Sequence, residues 1–160
     1  MYEFAIDTNA PKSELYRDLI RSADALTEGE PDGIANMANV AALLWEYLPD
    51  VNWTGFYRMI DGELVLGPFQ GKAACIRIAL GEGVCGAAAA SGETQLVVDV
   101  HSFPGHIACD ANSASELVVP VRRSGEVIAV IDLDSPSLNR FDADDASGIE
   151  ALAELLATRI

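Results

Sequence analysis

Basic residues are scarce: ten Lys and Arg stand against 25 Asp and Glu, a formal charge of −15 over 160 residues. Phosphate repels so negative a chain, which argues against nucleic acid and anionic membrane surfaces as partners. Long apolar runs are missing too, each falling well short of the ~18 residues that a transmembrane helix needs. The opening Met1-Tyr2-Glu3-Phe4 lacks the basic start and apolar core of a signal peptide, so a cytoplasmic location is expected. Only three cysteines are present, an odd number without an export signal, which argues against a structural disulfide framework. No repeat, linker or low-complexity segment divides the chain, and residues 1–160 are expected to form one domain. What is abundant is apolar: half the residues are hydrophobic and 22% charged, which excludes a disordered chain. A chain of this length buries roughly 70% of its unfolded surface and needs neither metal nor disulfide to fold.

Helical periodicity opens and closes the sequence. Leu15, Leu19, Ala23 and Leu26 form a stripe after Asn9-Ala10-Pro11, with Asn9 as the expected cap and Gly29 as the stop. A second helix starts at Asp32 and ends at Pro49; a last one starts behind Asp142 and faces Ile149, Leu152, Leu155 and Leu156 inward. Strands are expected over 51–60 and 63–69, around the turn Asp61-Gly62, and over 74–80. A short helix of small residues follows Gly83, then a strand at 95–98 and a final hairpin of 117–121 with 127–133. Hairpin connections imply an antiparallel sheet, and the terminal helices can cover one face. The architecture expected is α/β: a six-stranded antiparallel sheet, helices on one side, a ligand pocket on the other.

The segment from Glu126 to Asp134 is apolar on both faces until its end, which marks a central strand. Alternation places Asp132 and Asp134 on one face. A three-residue loop Arg123-Ser124-Gly125 would set Glu116 opposite Asp132 on that face, whereas a two-residue turn at Ser124-Gly125 would put Glu116 on the other. Three carboxyls at an apolar strand end repel one another, which raises at least one pKa and keeps a proton available near neutrality. Against this stands the plainer reading of solvated aspartates entering a loop.

The segment from Asp99 to Ser115 has no clear period and carries His101, His106 and Cys109, and a stretch of this kind inside a compact domain is usually functional. Cys75 is expected in a strand, and Cys85 at a helix start where backbone amides lower a thiol pKa. Thiols beside carboxyls suit redox chemistry. Zinc held by His101, His106, Cys109 and one further cysteine is the rival, but the spacing H-x4-H-x2-C is not a strong metal signature. The imidazoles also read simply as surface groups.

The motifs Gly67-Pro68-Phe69-Gln70-Gly71-Lys72, Ala74-Cys75-Ile76-Arg77-Ile78, Gly83-Val84-Cys85-Gly86, Gly105-His106-Ile107-Ala108-Cys109-Asp110 and Ile131-Asp132-Leu133-Asp134-Ser135-Pro136 follow in quick succession. Together they resemble the free methionine-(R)-sulfoxide reductases, which are built on a GAF domain, over about residues 15–155. The resemblance implies Cys109 as catalytic cysteine, Cys75 as recycling cysteine and Cys85 as a third with a secondary role. It implies Glu116, Asp132 and Asp134 as substrate-binding acids, with Trp53 and Tyr57 at the substrate's methyl end. It also implies free methionine sulfoxide as substrate and thioredoxin as reductant, with no cofactor and no metal. A GAF-type small-molecule sensor without turnover is the alternative from another class.

Overall fold

The computed structural model describes residues 4, 6, 7, 9–105 and 112–160. Two helices come first, α1 (Lys12–Thr27) and α2 (Gly33–Tyr47), followed by the strands β1 (Trp53–Ile60), β2 (Glu63–Gly71) and β3 (Arg77–Ala79). Then come α3 (Gly83–Ser91), β4 (Gln95–Val97), β5 (Ser115–Arg123), β6 (Glu126–Ser135) and α4 (Ala143–Leu156). The strands form one antiparallel sheet in the order β3-β2-β1-β6-β5-β4, which places β6 near the centre as its apolar faces require. Among the described residues no helix is long and apolar enough to cross a membrane.

The two faces carry separate cores. Leu19, Leu44, Ile149 and Leu152 of α1, α2 and α4 pack against Phe56, Leu117, Ile131 and Leu133 of the sheet. On the other face, Val84, Cys85 and Ala88 of α3 pack against Tyr57, Val118 and Val130. Each fully buried Leu, Ile or Phe contributes about 1.5–3 kcal/mol. A polar clasp joins α1 to α4: the buried Asp145 accepts from Tyr16 Oη at 2.8 Å and pairs with Lys12 Nζ at 2.6 Å.

Helix starts follow the sequence in part. Asp32 accepts from the amides of Ile34 and Ala35, and Asp142 forms a reciprocal capping box with Asp145. Asn9 does not cap α1, which starts behind Pro11 without a side-chain cap; proline's fixed φ already suits a helix entry. The expected strand over 74–80 shrinks to Arg77–Ala79, so Cys75 lies in the segment before β3 and not in a strand.

The β5–β6 register also departs from expectation. Ser124 (φ 53°) and Gly125 (φ 86°) make a two-residue turn with Arg123 opposite Glu126, the type that demands left-handed backbone at both positions. Alone, that turn would put Glu116 on the helix-covered face. A bulge corrects it: Arg122 faces Val127 while Val121 faces Ala129, so Ile128 is one extra residue in β6. Glu116 therefore stands opposite Asp134, not Asp132, yet on the same face as both.

Candidate functional site

Paired residues of neighbouring antiparallel strands share a face. Glu116 of β5 is opposite Asp134 of β6, and Asp134 in turn is opposite Trp53 of β1. One step along, Val118 pairs with Asp132, and Tyr57 pairs with Val130 a further step away. The sheet thus brings Glu116, Asp132, Asp134, Trp53 and Tyr57 together on the face that α3 covers.

Aromatic rings build one wall. Trp53 stacks on Phe69 at 5.1 Å between centroids and on Tyr57 at 5.9 Å. The same rings hold the segment after β2: Trp53 Nε1 donates to the Lys72 carbonyl at 3.0 Å and Tyr57 Oη to the Cys75 carbonyl at 3.0 Å. With the Leu66 amide donating to the Ile76 carbonyl at 2.9 Å, Cys75 is pinned beside the acidic strand ends. Trp53, Tyr57, Ala73, Ala74, Asp132 and Asp134 line a small cavity there, of about 20 Å³.

Cys85 arrives from above. Gly86 lets α3 approach the end of β3 so closely that a Cβ there would lie 2.4 Å from the Ala79 carbonyl oxygen. The Cys85 thiol is consequently buried and donates towards Glu116 Oε1 at 4.0 Å. Cys85 is a free thiol, whereas Cys75 is disulfide-bonded. Cys109 and His106 lie outside the described residues. His101 sits exposed in the turn Val100–Ser102, while two members of the rival imidazole–cysteine zinc set, His106 and Cys109, are not among the described residues.

Charge is crowded here. Burial, then the Asp132 and Asp134 carboxylates, push Glu116 well above the usual carboxyl range. Burial raises Asp132 to about 7, against hydrogen bonds from Cys85 and Glu116 that hold it down. Both shifts favour the protonated form of the pair. The same burial and the same carboxylates raise the Cys85 thiol, the reverse of the lowering expected from helix amides. Asp132 Oδ1 is buried without a hydrogen-bond partner, and half-buried Asp134 forms the outer end of the acidic row. The arrangement can hold a small cationic group, supply a proton to a nearby oxygen, and flank both with aromatic surface.

Sequence reasoning did not single out Asn52 or Phe69. Asn52 Nδ2 donates to Ser113 Oγ at 3.3 Å, tying the start of β1 to the chain just before β5. Phe69 reaches Trp53 because it stands opposite Gly55, just before a register shift between β1 and β2, a feature without a local pattern in the sequence.

A two-sided sheet with helices packed on one face and a carboxyl-rich, cysteine-bearing pocket on the other defines a ligand-binding α/β module. The GAF domain model matches residues 36–160. Free methionine-R-sulfoxide reductase of Escherichia coli is 50% identical over 91% of this chain and 88% of its own length. The structure of free methionine-R-sulfoxide reductase from Neisseria meningitidis in complex with its substrate superposes with a TM-score of 0.94, at 43% identity over 99% of this chain and 95% of that one. A substrate complex of the Staphylococcus aureus enzyme gives 0.86 at 46% identity, over 90% and 94% of the two chains. The chain belongs to the GAF domain family, in the group of free methionine-R-sulfoxide reductases.

Proposed function

We propose that the protein is an oxidoreductase that reduces free L-methionine-(R)-sulfoxide to L-methionine with thiols, from residues 1–160 acting as one GAF unit in the cytoplasm. The observation that carries the reading is the buried Glu116–Asp132 pair on one face with Asp134, together with disulfide-bonded Cys75. The relatives' activity gives that geometry its substrate.

In this mechanism the Cys109 thiolate attacks the sulfoxide sulfur. Oxygen passes to the cysteine sulfur and takes a proton that the raised-pKa carboxyls supply, leaving methionine and a sulfenic acid. The Cys75 thiol then attacks that sulfenic acid; an S–S bond forms, and the hydroxyl leaves with the thiol proton as water. A thioredoxin dithiol reduces the disulfide and takes over its oxidation state. Disulfide-bonded Cys75 beside free Cys85 supports Cys75 as the resolving thiol. The unpartnered Asp132 Oδ1 and half-buried Asp134 suit the substrate ammonium, which a peptide-bound residue lacks. The substrate carboxylate rests near the amides of Gly83, Val84 and Cys85, where no side chain caps α3.

NADPH consumption with thioredoxin, its reductase and L-methionine-(R)-sulfoxide tests the reading. Turnover is expected for the free R epimer and not for the S epimer or N-acetylmethionine sulfoxide. Binding without turnover would make the protein a sensor instead.

A further inference from the structure

In the turnover proposed above the Cys85 thiol has at most a secondary role, Cys109 being the nucleophile and Cys75 the resolving thiol. Its sulfur, one oxygen of Glu116 and one of Asp132 all lie within 4.8 Å of one another, and all three residues are buried. A tetrahedral zinc ion takes sulfur at about 2.3 Å and carboxylate oxygen at about 2.0–2.2 Å, which separates neighbouring ligand atoms by about 3.5 Å. The Cys85 Sγ to Glu116 Oε1 distance of 4.0 Å is close to that already. A second observation points to a ligand. Asp132 is only 5% exposed, yet its Oδ1 has no hydrogen-bond partner, a costly state that a cation relieves.

We propose that Cys85, Glu116 and Asp132 form a buried site for a thiophilic divalent cation, Zn²⁺ foremost, and that its occupancy excludes the ammonium group of the substrate. The competition with substrate rests on the reductase reading; the site itself does not. One thiolate and two carboxylates carry three negative charges when deprotonated, and in the metal-free cluster protons relieve that charge. A divalent ion does the same work and displaces them. Sulfur in the set selects zinc or cadmium over magnesium and calcium, which prefer oxygen and six or more ligands. Three protein ligands leave a fourth position for water. Half-buried Asp134 beside the site and the charge of −15 draw cations towards it. The consequence is reversible inhibition of the enzyme by free zinc.

The test uses the full chain in its disulfide form, in which Cys75 cannot ligate and Cys85 is a free thiol. Cd²⁺ is titrated in and the ultraviolet thiolate-to-cadmium charge-transfer band is recorded, followed by displacement with Zn²⁺. One equivalent with a saturating band is expected, with an apparent Kd raised by excess methionine sulfoxide. Asp132→Asn and Glu116→Gln are each expected to weaken binding about tenfold or more, and Cys85→Ala to abolish the band. Cys85→Ser replaces the alanine variant if circular dichroism shows that it has not folded. A wild-type protein without the band at saturating Cd²⁺, or a band that survives loss of the Cys85 thiol, overturns the site. A protein that binds Cd²⁺ as described but turns over no sulfoxide keeps the site and loses the reductase reading. One that turns over without the band loses the site alone.

Discussion

At single residues, the acidic cluster sets function against stability. Asp132 moves from 3.8 to about 7 on folding, and Glu116 moves upward as well. Between those values the folded chain keeps protons that the unfolded chain has released, so the cluster costs stability increasingly as pH rises and costs most above about 7. Asp132→Asn removes that cost. It is expected to raise Tm at pH 8 by several degrees, at about 1.4 kcal/mol per pKa unit relieved. At pH 4 the carboxyl is protonated in the fold anyway, and Tm should hardly change. Activity should fall roughly 10²–10⁴-fold, the usual scale for losing an acid–base group. Thermal melts at the two pH values, run beside the thioredoxin assay, check this; a Tm gain that ignores pH would mean that the charge is not the cause. The three thiols should also separate. Cys109→Ser is expected to release no methionine even in one turnover, and Cys75→Ser about one per active site before stalling without its resolving thiol. Cys85→Ser should do the least damage, measured as methionine released per site without reductant.

Among the elements, local pattern and long-range contact divide what the sequence could show. Four helices and six strands follow from periodicity, and so do the caps at Asp32 and Asp142, because each depends on residues within one turn. The acidic face was legible for the same reason: Asp132 and Asp134 are two apart in a strand. The position of Glu116 was not, since it depends on a turn type and on a bulge at Ile128 that compensate each other. Alternation over 74–80 suggested a full strand, yet only Arg77, Ile78 and Ala79 pair with β2. The chain before them is held by Trp53 and Tyr57 from β1, contacts that no window of neighbours contains. The direction of the Cys85 shift was missed because helix amides are local and its burial against β5 and β6 is not. The β5–β6 turn offers a prediction of its own. Ser124 sits at φ 53°, which a serine adopts reluctantly and an asparagine more readily. Ser124→Asn before Gly125 should stabilise the hairpin by about 0.5–1 kcal/mol without touching the site, read as a higher urea midpoint at unchanged m and unchanged KM.

Across the whole molecule the sheet works as a partition. α1, α2 and α4 bury Leu152 and its neighbours on one side, while Val118, paired to Asp132, belongs to the core that surrounds the site. The strands between are packed on both faces, so a void on one side has no easy route to the other. Leu152→Ala should therefore cost about 2–5 kcal/mol of stability and leave KM where it was. Val118→Ala removes fewer atoms and should cost less, about 1–3 kcal/mol. The space it opens, however, lies against Asp132, whose carboxyl can then rotate away from Glu116 or admit water. A raised KM for methionine sulfoxide and a lower pKa for the carboxyl pair are the expected consequences, visible as a shift of the pH–rate profile to lower pH. The two variants thus predict opposite rankings: Leu152→Ala the less stable, Val118→Ala the poorer enzyme. Urea denaturation and steady-state kinetics on the pair decide it. Equal rises in KM would mean that strain crosses β5 and β6 freely, and that the helix-covered core helps to set the geometry of the acids.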